Sequence, residues 1–255
     1  MAHNRYRTGS VLFSGGQDHQ IKCWKLSRIE YLDDYSIVSA DQILTSHEGD
    51  VTSLKVIDVE FKKSLLSIST DGTLNFWDID VYNCISVLKT IRSDSSLVDI
   101  AINGNYMTVT SIEKKISFYD IRDSEPGRVN DLIESVTCLK IDKSKRTIAG
   151  SIDGKLYVYD KTGSLLASSK IGHKSGIYAI DIENGFVASG DDLGIIKLWS
   201  YNRKKLRLLK SMQVLSDEVN LIQFRNNSKD AECIVVGNDG SIKNLRFKMT
   251  FHSIQ

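Results

Sequence analysis

The stretch Ser69 to Ile79, STDGTLNFWDI, reads as strand, tight turn, strand, and the chain returns to it repeatedly. It recurs as SIDGKLYVYD from Ser151 to Asp160 and as GNDGSIKNLRF from Gly237 to Phe247. Aligned on the second strand of each hairpin, the repeats read IKCW at 21–24, LNFW at 74–77, ISFY at 116–119, LYVY at 156–159, IKLW at 196–199 and IKNL at 242–245. Their closing residues, Trp24, Trp77, Tyr119, Tyr159, Trp199 and Leu245, stand 53, 42, 40, 40 and 46 positions apart. A supersecondary unit repeated at this spacing confines the chain to architectures in which like units stack and bury one another's faces.

The flanks of each hairpin repeat as well. An alternating strand precedes it: VTSLKVI from Val51, LVDIAI from Leu97, VTCLKI from Val136, IYAIDI from Ile177 and VNLIQF from Val219. Alternation at period two marks strands with one buried face. A short strand such as LLSIS, TIAGS or FVASG leads into the turn, and a fourth strand such as CISVLKT or SLLASSK follows. Helical periodicity is essentially absent. The expected fold is all-β: one β-propeller domain over residues 1–255, built of four-stranded antiparallel blades, six of them visible.

Composition narrows the function classes. Apolar residues make up 41% and charged residues 25%, a globular balance, and the formal net charge is +1. That charge removes any global argument for nucleic acid or an anionic membrane surface. Cys23, Cys84, Cys138 and Cys233 lie far apart with no CxxC pair, as expected of buried reduced thiols in an intracellular protein. No apolar run approaches the roughly 18 residues of a membrane helix, and MAHNRYRTGS lacks the apolar core of a signal peptide. A cytoplasmic or nuclear location, without membrane insertion, is the expectation.

These residues resemble the WD-repeat family of β-propellers over nearly the whole chain. The family places an acid in the hairpin turn six positions before the aromatic, and Asp18, Asp71, Glu113, Asp153 and Asp239 obey that spacing. Leu193 departs from it, with Asp191 and Asp192 just before. The resemblance also implies a hydrogen-bonded set of histidine, Ser/Thr, turn acid and Trp, for which blade two supplies His47, Ser69, Asp71 and Trp77. Blade five offers His173 and Trp199 with Leu193 at the turn position. These groups are read as structural.

Ring closure stays open at this level. The first strand of blade one falls in the polar segment MAHNRYR, and FKMTFHSIQ is expected to supply the last strand of blade six. The chain is truncated upstream, or the polar segment serves as an imperfect strand, or the ring is open and a partner adds strands or a blade. Residues 27–45 are expected to form an enlarged connection between blades one and two.

Function is expected in the loops. Those leading into the first strands carry Glu48, Asp50, Asp94, Glu134, Asp217 and Glu218, joined by the turn residues Asp191 and Asp192, against Lys174, Arg92 and His19. Either these are ordinary solvated acids, or they form an acidic mouth for a Lys/Arg-bearing peptide or tail. Lys62–Lys63, DKSKR at 142–146 and NRKK at 202–205 enrich the opposite face in lysine, diluted by Glu60, Asp78, Asp80, Asp123 and Asp142. RNA or phosphate binding there is the alternative function. A third reading is docking to the adaptor of cullin-type ubiquitin ligases through TVTSIEKKISFYDIR, with Glu113, Tyr119, Asp120 and Arg122 at the matching positions. The five histidines form no metal-ligand spacing, and GxSxG, P-loop and GxGxxG motifs are absent. The chain is therefore expected to be a non-catalytic scaffold for protein–protein interaction and complex assembly, without cofactor or metal.

Overall fold

In the computed structural model of the protein, the structure describes residues 2–6, 9–25, 39–59, 62–79, 86–123, 126–202, 205–225 and 231–247. All regular structure among them is β-strand. Blade one is ordered β1 (Ala2–Tyr6), β2 (Gly9–Gly15), β3 (Gln20–Lys25), β4 (Gln42–Thr45). Blade two is β5 (Val51–Val59), β6 (Lys62–Ser69), β7 (Thr73–Asp78), β8 (Ser86–Arg92). Blade three is β9 (Leu97–Asn103), β10 (Tyr106–Ser111), β11 (Lys115–Asp120), β12 (Arg128–Asp131), and blade four is β13 (Val136–Ile141), β14 (Thr147–Ser151), β15 (Leu156–Tyr159), β16 (Leu165–Ser168). Blade five is β17 (Ile177–Glu183), β18 (Phe186–Asp191), β19 (Ile195–Asn202), β20 (Lys205–Gln213). Blade six shows three strands among the described residues: β21 (Val219–Arg225), β22 (Ala231–Gly237) and β23 (Ile242–Phe247). Neighbouring strands pair antiparallel.

Two expectations about segments are changed by this topology. The fourth strand of blade one, β4, lies within the supposed connection 27–45 and pairs with β3 from Gln20↔Thr45 to Cys23↔Gln42; residues 27–38 of that stretch lie outside the described residues. The polar start does form a strand, β1, paired with β2 from Ala2↔Phe13 to Tyr6↔Gly9. Backbone pairing asks nothing of side-chain polarity, so an edge strand tolerates a polar sequence. The segment expected to complete blade six, 248–255, lies outside the described residues, as does Cys84.

By its packing the chain divides into two compact units, 1–127 and 128–255. Period-two alternation explains how blades stack within each. In β7, Trp77 packs with Phe13, Ile21 and Leu65 between blades one and two, whereas Leu74 and Phe76 pack with Ile100, Met107 and Val109 of blade three. In the second unit, Trp199 joins Ile148, Val158 and Ile177 between blades four and five, while Ile196 and Leu198 join Val219, Ile222 and Val235 of blade six. A middle strand is thus apolar on both faces, each fully buried aliphatic contributing about 1.5–3 kcal/mol. Cys23, Cys138 and Cys233 are buried in these cores. Burial raises Cys23 to about 11 and Cys233 to about 12, so both are inert at neutral pH.

First strands carry a bulge at their second residue: Thr52, Thr137, Tyr178 and Asn220 interrupt the registers of β5, β13, β17 and β21. A bulge leaves one residue outside the ladder and re-aims its side chain. Thr52 Oγ1 uses that freedom to donate to the Leu97 carbonyl of blade three at 3.1 Å, and Thr137 Oγ1 bonds the Ile177 carbonyl of blade five. The hairpin turns are equally regular. The residue after the turn position has positive φ in all six: His19, Gly72, Lys114, Gly154, Gly194 and Gly240. A Cβ on Gly154 would collide with the His173 carbonyl and one on Gly72 with the Ser93 carbonyl, whereas one on Gly240 meets none of the described residues within 4 Å.

Candidate functional site: locked networks and exposed approach loops

The polar groups nearest to a catalytic constellation are buried and bonded to one another. In blade two the Trp77 indole N–H donates to Ser67 Oγ at 2.8 Å, and that oxygen lies 2.6 Å from His47 Nε2. His47 Nδ1 is 2.7 Å from Thr73 Oγ1, which donates to Asp71 Oδ1 at 2.6 Å. An ionised carboxylate only accepts, so each hydrogen has one place: Trp77 to Ser67, Ser67 to His47 Nε2, His47 Nδ1 to Thr73, Thr73 to Asp71. Asp71 also accepts the backbone N–H groups of Thr73 and Glu48, both at 2.7 Å. Burial alone would raise its carboxyl, but these hydrogen bonds outweigh it and bring the group to about 2. Burial pushes His47 below its usual value despite the nearby Asp71, which keeps the imidazole neutral at pH 7.

Ser67, and not Ser69, is therefore the hydroxyl of this set. Ser67 lies opposite Asn75, one two-residue step from Trp77 on the same face of the sheet. Ser69 sits one two-residue step nearer the turn, beyond reach of the indole, and its Oγ accepts the Asp71 N–H at 3.1 Å.

Blade five builds the same path with a different acid. Trp199 Nε1 donates to Ser189 Oγ at 2.9 Å, Ser189 lies 2.7 Å from His173 Nε2, and His173 Nδ1 lies 2.8 Å from Asp191 Oδ2. Asp191 Oδ1 accepts the N–H groups of Leu193 and Ile195 at 3.1 and 2.8 Å. Asp191 has 0% exposure, so it leaves the set of loop acids open to a partner. The reason lies in the turn: Leu193 supplies no carboxylate, and Asp191, two residues earlier, bonds the histidine directly. Lys197 stands where blade two has Asn75, and its Nζ donates to the Gly172 carbonyl. Burial lowers the Lys197 and His173 pKa values, the carboxylate of Asp191 opposing in both cases.

The remaining turn acids do local work. Asp18, Asp153 and Asp239 each accept the N–H two residues on, from Gln20, Lys155 and Ser241. Such a side-chain-to-backbone bond closes a turn that the following positive φ opens. Asp153 also takes the Tyr157 hydroxyl at 3.1 Å and Lys155 Nζ at 2.9 Å, and Glu113 meets Lys115 Nζ at 3.4 Å. Blade three has Ser93 where blades two and five have histidine, and its Ser95 and Ser111 hydroxyls are buried without a partner among the described residues.

The expected mouth acids separate into two groups. In the first unit Glu48 and Asp94 are exposed and Asp50 Oδ1 lies 3.5 Å from His19 Nε2. In the second unit Glu134 faces Lys155 and Tyr157, and Asp192 accepts the Ser175 hydroxyl. Asp192 and Glu218 both lie against Tyr178, whose phenol is raised first by burial and then by these two charges. Asp217 accepts the Glu218 N–H at 2.8 Å and Asn238 Nδ2 at 3.2 Å.

The lysine-rich turns of the second unit are largely neutralised by pairing. Lys140 lies 3.3 Å from Asp181, Lys143 3.5 Å from Glu183, and Arg146 2.6 Å from Asp142. Asp142 further accepts the Tyr201 hydroxyl at 3.1 Å, and the Arg146 guanidinium sits 4.3 Å from the Tyr201 ring centre. These ties between blades four and five went unread in the sequence because Asp142 looked like one more turn acid. Glu60, Asp80, Arg203 and Lys204 lie outside the described residues. Arg122 is exposed beyond β11 and forks onto Asp120, Nε to Oδ1 at 2.8 Å and Nη2 to Oδ2 at 2.5 Å. Among the described residues no group of three or more His, Cys, Asp or Glu is arranged to hold a metal ion, and no helix is long and apolar enough to cross a membrane.

The WD domain, G-beta repeat, matches residues 130–160 and 163–200, which are blade four with its approach and most of blade five. The WD repeat-containing protein 55 homolog of Dictyostelium discoideum is 24% identical over 140 residues, covering 53% of this chain and 34% of that protein. Mitochondrial division protein 1 of Vanderwaltozyma polyspora is 26% identical over 263 residues, 92% of this chain and 36% of that protein. The chain thus spans about a third of the length of these relatives. Among solved structures, the WD40 β-propeller domain of Doa1 superposes with a TM-score of 0.75 at 20% identity, covering 98% of this chain and 79% of that one. The fold is a β-propeller of four-stranded blades. The chain shares this fold with WD40 β-propellers and is similar in sequence to WD-repeat proteins, which are generally non-catalytic scaffolds for protein interaction.

Proposed function

We propose that the protein is a non-catalytic platform, a single propeller domain in the cytoplasm or nucleus, on whose loops a larger protein complex assembles. One observation carries this reading: the titratable groups that resemble a catalytic set are sealed in the Trp–Ser–His networks, while the loops leading into the first strands expose Glu48, Asp94 and Asp217. Rigid blades hold the loops; the loops select the partner. Their excess of carboxylates favours a partner segment bearing lysine or arginine, a complementarity that acts on encounter and selection more than on raw affinity. Phosphate or RNA binding is the weaker reading, because Lys140, Lys143 and Arg146 already have carboxylates.

The test compares wild-type protein with the combined Asp50→Lys, Glu134→Lys and Asp217→Lys variant in co-purification. A partner recovered in fixed ratio, stable to moderate salt and absent from the variant, supports the scaffold reading. A ligand lost steeply with salt and kept by the variant would instead point to phosphate contacts.

A further inference from the structure

Large apolar side chains stand exposed on the approach loops and turns of the second unit, and three of them are carried by neighbouring backbone segments. Ile133 is 87% exposed, Ile171 65% and Ile152 48%. The Ile152 N–H donates to the Ser135 carbonyl at 3.0 Å, which sets it beside the loop carrying Ile133. The His173 N–H donates to the Gly154 carbonyl at 2.7 Å, and a Cβ on Gly172 would touch that same carbonyl, so the loop carrying Ile171 lies along the Ile152–Lys155 turn. An isolated exposed isoleucine needs no explanation; three on neighbouring, hydrogen-bonded segments do.

Carboxylates border this apolar ground. Glu134 follows Ile133 directly and faces Lys155 and Tyr157. The Asp192 N–H donates to the Gly176 carbonyl at 3.3 Å, which brings its carboxylate to the loop that begins at Ile171. Tyr178, at the bulge of β17, folds its ring over Gly176, where a Cβ would stand 3.0 Å from Cε2, and meets Asp192 and Glu218. In blades two and four the equivalent bulge residue is a threonine engaged with the next blade. In blade five it is an aromatic beside two acids. Lys155 is held by Asp153 at 2.9 Å, leaving Lys170 and Lys174 as the exposed bases of the loop.

We infer that this surface of the second unit docks a partner segment in which a bulky aliphatic residue is flanked by lysine or arginine. The aliphatic side chain covers Ile133, Ile152 and Ile171, and the flanking cations meet Glu134 and Asp192, an apolar centre with a charged rim. This inference rests on the scaffold reading and deepens it.

The test is fluorescence polarisation with three labelled hexapeptides: Lys-Leu-Lys-Lys-Leu-Lys, Lys-Ser-Lys-Lys-Ser-Lys and Glu-Leu-Glu-Glu-Leu-Glu. The first should bind wild type about ten-fold more tightly than the second, the effect of burying one or two leucines. Ile133→Ser with Ile171→Ser should bring the first peptide down to the second and leave the second unchanged; both positions are exposed, and a thermal melt verifies folding. Glu134→Gln with Asp192→Asn should weaken both cationic peptides. Equal binding of the two cationic peptides, or a leucine preference that survives the serine variant, overturns the apolar anchor and leaves the acidic platform standing. Equal binding of the acidic peptide overturns the cationic partner. No binding by any peptide overturns both this inference and the basic-partner reading beneath it.

Discussion

Blades two and five solve one problem with different chemistry. Each must hold a buried tryptophan and histidine together with no polar group left unpaired. Blade two runs its path through a hydroxyl: His47 to Thr73 to Asp71, with Asp71 close enough to the surface to cap Glu48 as well. Blade five omits the hydroxyl. Its acid lies two residues earlier, meets His173 directly and is fully enclosed, with Lys197 as a nearby cation. A buried carboxylate is tolerable only with every lone pair used, and Asp191 takes the histidine and two backbone N–H groups. The hairpin is conserved in shape because the path from indole to carboxylate is closed, whichever residue completes it.

The comparison predicts unequal damage. Asp191→Ala should destabilise by about 3–5 kcal/mol in urea unfolding, since it strands His173, two N–H groups and Lys197 in a dry site. Asp71→Ala should cost about 1–2 kcal/mol, because Thr73 still partners His47 and water reaches the turn. Equal losses would mean that the two networks are equivalent.

Turn glycines extend the contrast to stacking. Gly240→Ala introduces only the left-handed strain of about 1–2 kcal/mol, while Gly154→Ala adds a collision with the His173 carbonyl, about 1–3 kcal/mol more. Matching unfolding midpoints for the two variants would remove packing between blades as the reason for glycine.

A transplant sharpens the same point. Ser69→Asp, Asp71→Leu and Thr73→Ile together give blade two the Asp191, Leu193 and Ile195 arrangement. Asp71→Leu alone should cost about 2 kcal/mol, and the triple variant should recover about half of it. No recovery would show that Lys197 is required by the direct pair.

The smallest expected effect is in pH. Burial holds His47 and His173 below their usual value, so the unfolded chain takes up these protons first. Stability is complete above about pH 6.5 and falls as pH drops through it towards the folded values. Asp71, at about 2, contributes stability above about pH 4 that is lost between there and about 2. Unfolding midpoints should therefore decline below neutrality, and His173→Gln should flatten the first part of that decline.

Much of the fold was legible in the sequence. The first strands expected at Val51, Leu97, Val136, Ile177 and Val219 begin at those residues, because period-two alternation and the turn acid are local signals. The site was less legible. Ser69 and Ser67 are equally plausible hydroxyls in the string LLSIS, and Asp191 and Asp192 equally plausible loop acids in GDDLG. Choosing between them requires knowing which atom register and turn bring within bonding distance of an indole or imidazole.

The chain alone therefore determined the repeat, the strands and the turns, all encoded over a few neighbouring residues. Tertiary structure decided which serine serves Trp77, that Asp191 is buried while Asp192 is not, that Lys140, Lys143 and Arg146 are paired, and that the segments carrying Ile133, Ile152 and Ile171 are neighbours. Hydrogen bonds and ion pairs act over about 3–4 Å, and such distances are set only once strands have paired in register and blades have stacked.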